Sequence, residues 1–116
     1  GYVFDTLEAD ANFNYQSTTM CFHGHTHVPV LYEKQDRVTR KEYSTLKLVL
    51  GRKYFVNVGS VGQPRDGDPR AAYVTFDPSA KEISLHRVEY DIETTQKKIR
   101  KAGLPDKLAR RLELGK

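Results

Sequence analysis

Cys21-Phe22-His23-Gly24-His25-Thr26-His27-Val28-Pro29 decides how this chain is read, because three of its four histidines fall within five residues there. Thr18 to Phe22, just before the cluster, is short and β-prone, with no polar side chain larger than threonine, as a buried strand requires. Val28 to Tyr32, just after it, resumes an extended pattern around Pro29. Neutral imidazole is a good ligand for Zn, Mn, Fe or Co. On an extended backbone, residues one apart point the same way, with Cα atoms ~6.6–6.8 Å apart. His25 and His27 so placed can grip one ion, or serve two ions held ~3.5–4 Å apart. Gly24 allows a tight turn before the first ligand, and Pro29 stiffens the exit. A position just past a buried strand is also where α/β proteins put ligands. The triplet by itself is equally compatible with idle, exposed imidazoles, so on spacing alone both readings stand. His23 precedes the glycine and is the weaker ligand candidate. His86 lies alone in a strand and reads as a core or surface residue.

Downstream, the second candidate element runs from Asn57 to Pro69. A glycine-bearing loop after a buried strand can expose backbone N–H groups to an anion, and Arg65 can add a bidentate phosphate contact. No Gly-Lys-Ser/Thr follows, so this is not a nucleotide-binding P-loop. The competing reading is a structural turn in which Arg65 pairs with Asp66 or Asp68. Nothing orders Ser60 against a base, so a Ser–His–Asp mechanism finds no support.

Around these elements the pattern alternates between helix and strand. Tyr2 to Asp10 places Val3, Leu7 and Phe4 at helical spacing, and Asn12 to Ser17 is polar and reads as a loop. Lys34 to Lys41 is charged and reads as an exposed connection or hairpin tip. Leu46, Leu48 and Leu50 share one face of a strand that begins at Tyr43 and ends at Gly51. Tyr54 to Val58 is nearly all apolar, as in a central strand covered on both faces. Ala71 to Phe76 and Ile83 to Tyr90 predict a hairpin, with a bulge where the apolar phase shifts between Leu85 and Val88. Asp91 caps a helix through Ala102, with Gly103 at its end. Pro105 suits the first turn of a last helix, which carries Leu104, Leu108 and Leu112 at i, i+4 and i+8. The order is helix, five or six strands, then two helices.

Length and charge narrow the function classes. The 116 residues suffice for one domain with a core. No apolar run approaches the ~20 residues that cross a bilayer, so no membrane partner is expected. Nothing at Gly1 reads as a basic-then-apolar leader, and the single cysteine, Cys21, suits a reducing compartment. The expected location is cytoplasmic. The net charge of +4 resides entirely in residues 91–116, where 8 Lys/Arg face 4 acidic residues. No aromatic residue is interleaved with them, so they read as a solvated helix face rather than a nucleic-acid surface.

The two motifs in this order resemble the C-terminal half of the calcineurin-like metallophosphoesterases. The resemblance is carried by Cys21 through Pro29, by Asn57 through Arg70 leading into Ala72 to Asp77, and by Tyr90 to Glu93 with Lys98-Ile99 and Ala102 to Pro105. It implies an α/β (α+β) fold, half of a four-layer αββα sandwich with a mixed β-sheet and C-terminal helices. Residues 1–116 would then be the C-terminal part of one domain whose N-terminal half is the missing partner. His25 matches the family histidine on the second metal and His27 the one on the first. Gly24, Asn57, Ser60 and Arg65 would line the site. The implied cofactors are two divalent transition metal ions, Mn or Fe in first place and Zn or Ni as alternatives. The implied reaction is hydrolysis of a phosphate ester by hydroxide activated between them. The family's Asp-x-His, Gly-Asp-x-x-Asp and Gly-Asn-His-Asp elements do not occur here, so catalytic ligands are expected from outside the chain. A catalytically inactive protein-binding scaffold on the same fold is the alternative.

Overall fold

Strand alternation sorts this chain into two sheets that share one apolar layer. In the computed structural model, which describes residues 2–116, the elements follow as α1 (Thr6–Phe13), β1 (Met20–His23), β2 (Val30–Lys34), β3 (Val38–Lys41), β4 (Thr45–Lys47), β5 (Lys53–Asn57), β6 (Ala71–Asp77), β7 (Glu82–Val88), α2 (Ile92–Lys101) and α3 (Asp106–Leu114). Gly1, where a leader is sought in the sequence, lies outside the described residues. One sheet has the order β1-β5-β2-β3, and the other β4-β7-β6. Among the described residues only β1 and β5 run parallel, with Met20 beside Tyr54 and His23 beside Asn57, so the first sheet is mixed.

The central strand is β5, buried from Tyr54 to Asn57. Tyr54 and Val56 face the second sheet and pack with Leu31 and Ile83, joined by Met20, Leu46 and Leu48. Phe55 faces the other way and packs with Val30, Tyr32, Ala9 and Phe13 beneath α1. One continuous apolar stretch thus serves two layers, because its side chains alternate. The result is helix, sheet, sheet. Among the described residues the C-terminal helices pack on each other and on no strand of either sheet.

Several expectations are corrected at this level. The first helix starts at Thr6, because the Asp5 side chain accepts the Glu8 N–H and caps it there. Its buried face is Ala9 and Phe13, whereas Leu7 and Phe4 are exposed. The helix runs through Asn12, so the loop begins only after Phe13. Phe22 is exposed, on β1, which is one of the two edge strands of its sheet among the described residues. The charged Lys34 to Lys41 stretch does form a hairpin tip, at residues 35–37, but its second half is the strand β3, which pairs with β2. Leu50 is exposed in the turn beyond β4. Pro105 is the N-cap residue of α3, one step before its first turn, and Leu104 is exposed.

No bulge interrupts the β6–β7 hairpin, whose register runs unbroken from Ala71 opposite Val88 to Asp77 opposite Glu82. The apolar phase breaks for another reason. Arg87 takes the position in line with Ile83 and Leu85 and pairs there with Asp66, while its Nε lies 3.7 Å from Asp68. Asp68 also accepts from Arg70, with Nη2 at 2.8 Å, and these guanidinium contacts hold its carboxyl at about 2 rather than the ordinary 3.8. A carboxylate whose pKa is lowered by folding stabilises the native state above its unfolded pKa and loses that contribution on protonation. Stability should therefore fall as pH drops from about 3.8 to about 2. Asp68→Asn should flatten that part of the profile, as chemical denaturation at each pH would record.

Both C-terminal helices form as their caps dictate. Asp91 accepts the Thr94 N–H at 3.1 Å and opens α2. Gly115 ends α3 in the left-handed conformation, where its carbonyl accepts the Gly67 N–H at 2.9 Å. A Cβ on Gly115 would lie 2.8 Å from the Asp68 backbone. The helical pair is thereby joined to the segment that follows the Asn57 loop. Among the described residues, no helix is long and apolar enough to cross a membrane.

Candidate metal centre

The parallel strands β1 and β5 end side by side, and the loops leaving them carry both motifs. Val58 N–H donates to the His23 carbonyl at 3.0 Å, holding the two exits together. Asn57 joins them further. It is fully buried, and its Nδ2 donates to Thr26 Oγ1 at 2.8 Å and to the Gly24 carbonyl at 3.3 Å. Its Oδ1 accepts the Gly59 N–H at 2.9 Å, and its carbonyl accepts from the Tyr43 hydroxyl at 2.7 Å. One amide thus fastens the histidine loop to the glycine loop. Gly59 adopts a φ of 78°, and a Cβ there would stand 3.0 Å from that of Ala72, so glycine is required on both counts.

The histidines do not sit on extended backbone. His25 and His27 both adopt left-handed conformations, with φ of 79° and 62°. This corrects the β-strand geometry inferred from their spacing, and the turn expected of Gly24 is made by His25 instead. Each such residue costs roughly 1–2 kcal/mol, strain that persists only where surrounding contacts fix it. Between them, Thr26 is buried and held by Asn57.

The two rings differ in how they are held. His27 Nδ1 lies 2.7 Å from the Gln63 carbonyl oxygen. A carbonyl only accepts, so Nδ1 carries the proton and, in the neutral ring, Nε2 keeps its lone pair free. Metal-binding histidines are oriented in this way by a partner on the second ring nitrogen. The His25 ring is exposed and stacks on Tyr2, with centroids 3.7 Å apart. His23 belongs elsewhere: its ring stacks on Phe55 at 3.8 Å, and burial lowers its pKa to about 4. His86 stacks on Tyr73 and bonds Thr75 on the second sheet.

Ser60 shapes the loop, accepting the Gln63 N–H on Oγ at 2.9 Å and the Ala72 N–H on its carbonyl at 2.9 Å. Arg65 N–H donates to the His27 carbonyl at 3.1 Å. Its guanidinium is held by the Gln63 side chain rather than by Asp66 or Asp68, which are engaged by Arg87 and Arg70. Gln63 and Thr26 therefore matter to the site although sequence patterns do not single them out. The Gln63 contact to His27 is made by backbone and leaves no side-chain signature.

A crystal structure of a metallophosphoesterase from Sphaerobacter thermophilus matches this architecture with a TM-score of 0.90 and 41% identity, over 99% of the chain and 49% of that protein. The chain has the fold of half a metallophosphoesterase domain. An uncharacterized protein of Methanocaldococcus jannaschii is 40% identical over 115 residues, 99% of this chain and 46% of its relative. The chain thus spans about half the length of the proteins it matches. No family model matches it. Among the described residues, no group of three or more His, Cys, Asp or Glu comes together to hold a metal. His25 and His27 fit a divalent transition metal by donor chemistry, as part of a larger ligand set.

Proposed function

We propose that this chain is the C-terminal part of a metal-dependent phosphoesterase domain. On this reading His25 and His27 hold divalent cations together with ligands from the N-terminal part. The observation that supports it best is the His27–Gln63 contact, which frees Nε2 for a ligand on a loop that carries two strained histidines. Two ions are proposed, with Mn or Fe favoured over Zn or Ni, and the substrate is a phosphate ester. Bound divalent cations would lower the pKa of water and screen charge on the phosphoryl oxygens. The chain's own contribution is positioning. Asn57 fixes the loop, Thr26 braces the backbone between the ligands, and Gln63 sets the His27 tautomer. A cytoplasmic location completes the proposal, with Cys21 as a free thiol.

The test uses the complete protein, with this chain joined to the rest of its domain. Metal-depleted protein should hydrolyse a generic aryl phosphate only after Mn²⁺ is added, lose that activity to a chelator, and carry stoichiometric transition metal as purified. A protein that binds no metal and hydrolyses no ester would instead be a scaffold, and the reading would fail.

A further inference from the structure

We infer that Gln63 is a positioning residue that holds the Arg65 guanidinium with a neutral amide, leaving its charged outer edge to receive an oxyanion of the phosphate ester. This rests on the phosphoesterase reading and adds a recognition site to it. Three arginines lie on or beside the loop, and their partners differ. Arg70 is paired with Asp68, and Arg87 with Asp66 and Asp68. Arg65 makes no ion pair among the described residues, although Asp66 is its chain neighbour.

What holds Arg65 is one oxygen. Gln63 Oε1 accepts from Nε at 3.2 Å and from Nη2 at 2.6 Å. A guanidinium has five N–H donors in a rigid fork. Gln63 takes the side edge, and the end edge, formed by Nη1 and the second Nη2 proton, has no partner among the described residues. That edge matches a phosphoryl group bidentately. A half-buried cation without a counter-ion is costly to keep, and a bound anion would relieve that cost. The amide has a further advantage over a carboxylate, because it fixes the guanidinium without cancelling its charge. Arg65 is also tied to the ligand loop, since its N–H donates to the His27 carbonyl while the Gln63 carbonyl accepts from the His27 ring.

The experiment compares the complete protein with Gln63→Glu and Arg65→Gln. A glutamate can take the same two N–H groups and keeps the backbone contact to His27, so it changes charge while sparing shape. Both variants should raise KM for an aryl phosphate, and the inhibition constant of inorganic phosphate, by about tenfold. Both should leave metal content unchanged and lower kcat by less than roughly threefold, a split that loss of structure would not give. Unchanged KM and phosphate inhibition in an active enzyme would overturn the inference while leaving the phosphoesterase reading in place. A rise in Arg65→Gln alone would overturn the part assigned to Gln63. If the protein hydrolyses no ester, calorimetric titration with inorganic phosphate decides: weaker binding in both variants sustains the site, and equal or absent binding refutes it.

Discussion

His27→Ala is expected to lower kcat/KM for an aryl phosphate by more than about a hundredfold, because loss of even a ligand's hydrogen-bonding partner costs 10–100-fold in metal sites. The variant should also bind less metal at equal total concentration. Of the two proposed ligands, His27 has the stricter geometry, since its Nδ1 is tied to the Gln63 carbonyl at 2.7 Å. The ring therefore meets an ion with its orientation already fixed. His25 has an exposed ring and a stacking contact with Tyr2 as its support. His25→Ala should thus reduce metal affinity as well, but by a smaller factor. Metal analysis alongside kinetics separates the two roles, and equal activity in wild type and His27→Ala would remove His27 from the site.

Much of this architecture was legible because strand and helix periods leave plain traces. Tyr54, Phe55 and Val56 read as a strand covered on both faces and are buried on both. Asp91 and Gly103 bracket a helix as their capping chemistry predicts. The illegible parts share a cause, which is that long-range contacts decided them. β3 pairs through its backbone and only Val38 packs on the core, the other three side chains being exposed, so hydropathy gives little sign of it. Arg87 breaks an apolar phase because Asp66, 21 residues away, receives it. Both histidines leave the extended conformation because contacts from Val58 and Arg65 pin the loop at either end. The motif placed His25 and His27 together on one loop, while their backbone geometry had to come from the fold.

Asn57→Leu is expected to destabilise the fold by roughly 3 kcal/mol or more, since each of the three polar groups it leaves without a partner costs about 1–3 kcal/mol when buried. The substitution keeps the branched side-chain shape but removes both polar amide atoms. Thr26 Oγ1, the Gly24 carbonyl and the Gly59 N–H would lose their Asn57 partners together. Such a loss is a large fraction of the 5–15 kcal/mol that holds a typical domain. Asn57→Asp keeps the acceptor for Gly59 but buries a carboxylate against the Gly24 carbonyl, so it too should be clearly destabilising. Thermal melting ranks the two variants. Hydrogen exchange then says where the damage lies: if Asn57 is the fastener between the loops, amides from Gly24 to Val28 and at Gly59 should exchange faster in both variants than those of α2 and α3. Uniform loss of protection would show a generally weakened core instead, and the two loops would then owe their alignment to the parallel pairing of β1 and β5 alone.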